Sequence, residues 1–166
     1  MNLLILPPIL RLRRNHALEH ATIHLLTERG QAIRVVGRAT FNGFYLYGDL
    51  ETEQVRAAAQ EALERLRRGE RSLAVHPNCG TNLVTAGTMA GLAAVLAVGH
   101  RPRDRWERLP NALLAATAAL VLARPLGALL QARVTTMADP GSMVIRGVHR
   151  ERRGNLVIHF VETGPA

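Results

Sequence analysis

Apolar and polar residues follow three different spacings along this chain, and each spacing predicts a different kind of element. From Thr81 to Gly99 the run TNLVTAGTMAGLAAVLAVG contains no charged residue. As a helix rising about 1.5 Å per residue it would be roughly 28 Å long, close to the thickness of a bilayer's hydrocarbon core. A second run, Pro110 to Ala132, is interrupted only by Arg124, near enough to its end for the side chain to reach an interface. The segment HRPRDRWERL joins the two and offers Trp106 as an interfacial anchor. Small residues recur four apart (Gly87 and Gly91, Ala86 and Ala90, Ala112 and Ala116), a spacing that lets two helices approach closely. These runs predict a two-helix transmembrane hairpin, with spans at about 83–99 and 110–130. The competing reading, a helical hairpin buried in a soluble core, would require a small fold to enclose both runs completely.

Elsewhere the patterns are those of a small α+β unit. Asn15 is placed to cap a helix over His16–Arg29 that Gly30 ends. IRVVGRATF and FYLYGDL read as strands joined at Asn42-Gly43. Val55, Ala58, Ala59, Ala62, Leu63 and Leu66 repeat at helical offsets between Thr52 and Arg68, and Gly69 stops that helix. Ser72 to Val75 reads as a short strand. MVIRGVH and NLVIHFVE, flanking Arg153-Gly154, read as a β-hairpin. The expected fold is α+β: a small mixed sheet with two helices, interrupted by the transmembrane hairpin. Its parts are an apolar and basic interfacial anchor (1–14), a first part of the domain (15–80), the hairpin (81–132) and a C-terminal β-hairpin that completes the domain (133–166).

The anchor assignment rests on Leu3–Leu10, too short to span and broken by Pro7-Pro8, with Arg11, Arg13 and Arg14 after it rather than before it. A secretory signal has the opposite order, so the polar parts are expected on the cytoplasmic side of a multi-pass protein of the cell (plasma or inner) membrane. Charge refines this picture. The 166-residue chain has a net charge of +8, and its 21 basic residues are all arginine. A sequence pI near 11.4 suggests a nucleic-acid partner. The arginines, however, cluster beside apolar segments, with neither a recognition helix nor aromatic interleaving, which argues for anionic lipid headgroups and against nucleic acid. The single cysteine, Cys79, excludes an intramolecular disulfide framework.

Two segments carry candidate chemistry. In HALEHATIH, residues His16, Glu19, His20 and His24 fall within about 140° of the helix circumference, opposite Ala17, Leu18, Ala21 and Leu25. Histidines at i and i+4 can hold one metal ion, with a glutamate beside them as general base to water. His16-x-x-Glu19-His20 is the inverted order of the zinc-protease helix pair. The plainer reading is a polar helix face with hydrogen-bonded histidines. In HPNCGT, directly before the first apolar run, His76 and Cys79 are spaced so that a tight Pro-Asn turn would aim both at one ion. The plainer reading there is a helix-start turn capped by Asn78 or Thr81, with Cys79 a small buried apolar group.

HALEHATIH, GFYLYGDL and HPNCGTNL together resemble an uncharacterised family of small bacterial-type membrane proteins, and the resemblance covers most of the chain. More distantly, the pairing of H-x-x-E-H with H-P-x-C-G-T before a membrane helix is similar to a membrane family of predicted metal-dependent enzymes. That similarity implies that His16, Glu19, His20, His76 and Cys79 form one site; His24 lies outside the shared motif. Inverted-motif peptidases take a further glutamate from a downstream helix, and nothing in the spacing here selects Glu61 or Glu64.

The expected function is an integral membrane metalloprotein using Zn2+ or another divalent transition metal. It would be a zinc-dependent hydrolase or peptidase acting at the membrane surface on a membrane protein or peptide. His16, His20, His76 and Cys79 would be ligands, His24 a further candidate, and Glu19 the general base. The alternatives are a non-enzymatic membrane scaffold or assembly factor with at most a structural metal, and a Cys79 nucleophile activated by His76 or His20.

Overall fold

The computed structural model describes residues 3–30, 35–99 and 107–165. The linker containing Trp106, and the residues expected to start the first strand at 33–34, lie outside that set. The chain forms two compact bodies: Met1–His76 with Ala132–Ala166, and Pro77–Gln131.

In the first body a four-stranded antiparallel sheet is ordered β1-β2-β4-β3, from Val36–Thr40 (β1), Gly43–Tyr47 (β2), Met143–Arg153 (β3) and Leu156–Pro165 (β4). Helices α1 (Pro7–Glu28) and α2 (Thr52–Arg67) cover one face of it. The fold is therefore α+β, as the patterning predicts. The core beneath the helices is built from Leu18, Leu25, Leu26, Phe44, Leu46 and Val161. All six apolar positions read from the α2 repeat are buried there. The start of α2 is fixed by a capping box in which Glu51 accepts from the Gln54 amide and the Gln54 side chain accepts from the Glu51 N–H.

Several local expectations are corrected. Pro7-Pro8 does not break the N-terminal run; it opens α1, where a proline's missing N–H leaves no helical bond unmade. Asn15 is consequently interior to α1. It is buried, donates to Thr40 O at 2.8 Å and accepts from Thr163 Oγ1 at 2.6 Å, stitching the helix to both β1 and β4. Ser72 to Val75 is not a strand. Arg71–Ala74 forms a 3-10 turn that buries Leu73 and Ala74, too short for a ladder partner.

The first hairpin turns on Phe41 and Asn42, since Thr40 pairs with Gly43. Gly43 instead begins β2 at φ 147 in a space where a Cβ would overlap Val161 O. The second hairpin turns on Gly154 and Asn155, since Arg153 pairs with Leu156. Glycine at φ 62 comes first, the position at which a type II′ turn needs positive φ. A bulge between Ile145 and Gly147 displaces Arg146 from the ladder.

The second body is a hairpin of α3 (Gly80–Val98) and α4 (Leu109–Leu130), and α4 runs on into a π-turn at Gln131–Thr135. Both helices are long and apolar enough to cross a membrane. Their packing is small-side-in: Ala112, Ala119, Ala123 and Gly127 are buried along α4, whereas Leu83, Val95 and Leu96 of α3 and Leu113, Leu114 and Val121 of α4 are exposed. Close approach occurs at Gly127, where a Cβ would meet Asn82 Oδ1. It does not occur at the expected pair Gly87 and Gly91, where nothing lies within 4 Å of an added Cβ. Gln131, fully buried, donates to Asn82 Oδ1 at 2.7 Å, and Asn82 donates to Pro77 O at 2.7 Å, a polar clamp across the base of the hairpin.

Candidate metal centre

Because α1 is continuous from Pro7, Arg13, His16, His20 and His24 stand at i, i+3, i+7 and i+11 within about 80° of one another. This stripe faces the two segments through which the chain leaves and rejoins the first body. Arg13, 6% exposed, donates to Leu4 O at 3.0 Å and to Arg133 O and Thr136 O, each at 2.9 Å. His16 Nδ1 lies 3.0 Å from Thr135 O, and His20 Nδ1 2.8 Å from Ala74 O. His24 Nε2 lies 2.9 Å from Val75 O.

A carbonyl oxygen can only accept, so each of these ring nitrogens carries the proton. In the neutral rings the lone pair of His16 and of His20 is therefore on Nε2, and that of His24 on Nδ1. Metal-ligating histidines are held in this way, with the far N–H donated to a backbone carbonyl. His76 completes the group. Ring centroids are 4.3 Å apart for His16 and His20, 5.8 Å for His20 and His76, and 4.8 Å for His24 and His76. Burial first, and then the charges His24 and His20 would carry, push His76 down from the ordinary histidine value to about 4. Four imidazoles thus meet in one body, with His76 held neutral over the physiological range.

Glu19 is 5% exposed and lies on the shoulder of α1 between this stripe and the sheet. A methyl at Gly37 of β1 would overlap its carboxylate, so glycine there is what gives Glu19 its room. Cys79 belongs to the second body, where it is the N-cap of α3 and its sulfur accepts from Thr81 N at 3.4 Å. The cap is thus neither Asn78 nor Thr81. Glu61 lies on α2 in an ion pair with Arg29, away from the histidine stripe.

Sequence reasoning missed Arg13 and the three carbonyls that fix the rings. Arg13 carries a legible signal, since it shares the helical spacing of the histidines. The carbonyls belong to the end of a 3-10 turn, the extended residue after it and a π-turn, none of which a side-chain pattern marks.

Folding stability should depend on pH through half-buried His76 and fully buried His159. His159 on β4 is fully buried, with only a 3.3 Å contact from Nε2 to Thr52 Oγ1, and burial followed by Arg150 lowers its pKa. An unfolded chain binds these protons near pH 6.5, whereas the folded chain withholds the His76 proton until about 4. The stabilisation is complete above pH 6.5 and is lost as pH falls from there toward 4. Thermal midpoints of metal-free protein should fall across that window, and less steeply in His76→Asn. Equal slopes for the variant and the parent would remove His76 from this role.

The described residues thus comprise an α+β body with four clustered histidines and an apolar helical hairpin. The chain belongs to the family described as a domain of unknown function, DUF6391, which matches residues 11–148. It is similar to an uncharacterized protein of Picosynechococcus sp. (strain ATCC 27264 / PCC 7002 / PR-6), with 37% identity over 169 residues, 92% of this chain and 79% of that protein. No solved structure matches it.

Proposed function

We propose that the chain is an integral membrane metalloprotein holding one zinc or other divalent transition metal ion, and that it acts as a hydrolase of peptide or protein substrates at the membrane surface. The observation that supports this best is the pair of Nδ1–H donations from His16 to Thr135 O and from His20 to Ala74 O, which leave both Nε2 atoms as donors on one flank of α1. The donor set suits zinc, which takes neutral imidazole and thiolate. His16 and His20 would hold the ion and His76 would complete three nitrogen ligands. Cys79, three residues after His76 in the sequence, is the fourth candidate ligand. His24, with its lone pair on Nδ1, borders His76 and is the reserve ligand.

A zinc ion there would supply Lewis acidity. Glu19, one turn from His16 and beside His20, would take the proton from the attacking water. The small-side-in, leucine-out packing of α3 and α4 is what a bilayer favours and an aqueous surface does not. Alkaline carbonate should therefore fail to release the chain from membranes, and its release would refute integration.

The hydrolase reading is tested by Glu19→Gln in full-length protein reconstituted in vesicles and presented with unfolded protein substrates. Activity should drop by about 100- to 10,000-fold while bound metal is retained. Metal retained with no activity in the unmodified chain would support the second reading, a scaffold with a structural ion. The observation favouring that reading is the number of candidate protein donors, since four of them would close a tetrahedral shell.

A further inference from the structure

A second site lies on the other flank of α1. Arg11 and Arg14 stand roughly 140–160° around the axis from His16 and border a cavity of about 70 Å3 against Ser142 and the Thr163–Pro165 end of β4. A wider cleft of about 520 Å3 shares Arg11 and residues 163–165 and adds Arg146. The bulge in β3 displaces Arg146 from the ladder, and it lies over Gly164, where a Cβ would overlap its guanidinium, and donates to Pro165 O at 3.4 Å. Arg14 spends only Nε, on Asp139 O at 3.0 Å.

Three arginines therefore line two adjoining concavities that share Arg11 and residues 163–165, with Arg14 on the smaller and Arg146 on the wider. No carboxylate forms an ion pair with any of them among the described residues. Some arginines elsewhere are matched: Arg65 meets Glu28 and Glu70, Arg150 meets Glu51, and Arg153 meets Glu151. Glu162, the acid on the wider cleft, is engaged by His149 at 3.3 Å. Guanidinium groups without carboxylate partners along adjoining concavities, with Ser142 in the lining of the smaller, suit a tetrahedral oxyanion.

We propose that this cleft binds a phosphate group, most readily the phosphodiester of an anionic lipid headgroup. Two features of the same body favour the lipid as its source. Leu3 and Ile5, immediately before α1, are 61% and 59% exposed. The neighbouring Arg13 grips Arg133 and Thr136, just past the end of α4, so this stretch of α1 is fastened to the chain where it emerges from the apolar hairpin. The site shares no residue with the histidine cluster and does not rest on a bound metal.

The test uses full-length protein in detergent, titrated with phosphatidylglycerol, with phosphatidylcholine and with inorganic phosphate. Phosphatidylglycerol should bind saturably, one per chain, and more tightly than phosphatidylcholine. The Arg11→Gln, Arg146→Gln double variant, altered only at exposed positions, should weaken it by about tenfold or more. Arg152→Gln, which removes charge from the exposed tip of β3, should leave binding unchanged, as should chelation. Inorganic phosphate competing at the same concentrations would make the source a soluble phosphate; no competition makes it the lipid. Equal weakening by Arg152→Gln, unweakened binding by the double variant, or binding of neither phosphatidylglycerol nor inorganic phosphate would overturn the site.

Discussion

Replacing His20 by alanine should lower the affinity of the full-length protein for zinc by more than about 100-fold, the largest effect of any single change on metal binding. Second-shell changes around metal ligands already cost 10- to 100-fold, and His20 would be a ligand itself. Its ring is only 2% exposed and is oriented by Ala74 O, so its place among the other imidazoles is fixed. His24→Ala, which removes the reserve ligand, should cost no more than about tenfold. Metal content per chain, read by elemental analysis after dialysis against buffered zinc, checks both. A metal-free parent protein, or full occupancy in His20→Ala, would sink the proposal. Chelation should also lower the thermal midpoint, because an ion bound only to the native state stabilises it in proportion to the logarithm of its concentration over Kd.

The largest structural effect should come from Gly43→Ala. The backbone there, at φ 147, is in a region that side chains other than glycine rarely adopt, and the new Cβ would overlap Val161 O on the neighbouring strand. Strain at such a position costs about 1–3 kcal/mol, and displacing β4 to relieve the overlap adds to it. A loss of at least about 3 kcal/mol is expected, read as the shift in a chemical denaturation midpoint of the first body. Gly30→Ala is the control. It also has positive φ, at 69, but nothing lies within 4 Å of an added Cβ, so it should cost only about 1 kcal/mol. Equal losses in the two variants would show that backbone conformation alone, and not the contact with β4, matters at Gly43.

The legible parts of this fold were those in which side chains decide the outcome. The α2 helix could be read because Val55 through Leu66 repeat at the helical period, and the apolar hairpin because Leu, Val and Ala fill two long runs that hold only one charge, Arg124. Where the backbone or a remote partner decides, the sequence misled. Pro7-Pro8 reads as a break unless the helix is known to begin there. Asn15 has the composition of a cap, but its actual partners, Thr40 and Thr163, come from strands far along the chain. The small-residue spacing suited Gly87 and Gly91 as well as it suited the α4 alanines, and only three-dimensional packing shows a close approach at Gly127 and none at that pair. At the histidine cluster, the ring positions follow from helical spacing, whereas their tautomers follow from carbonyls that have no sequence signature.

The sheet order has a consequence for how the chain comes into being. Strand β2 pairs with β4, yet both apolar helices are synthesised between them. A nascent chain therefore has α1, β1, β2 and α2 available while the inner edge of β2 is still bare, and a bare edge invites pairing with the wrong chain. That edge is covered only after the apolar hairpin has been dealt with and Leu156–Pro165 has emerged. Thr135, the partner of His16, also arrives late. Biogenesis is thus ordered by topology: disposal of the hairpin precedes closure of the sheet, and a chain stalled between these steps carries an open strand that proteolytic surveillance can recognise.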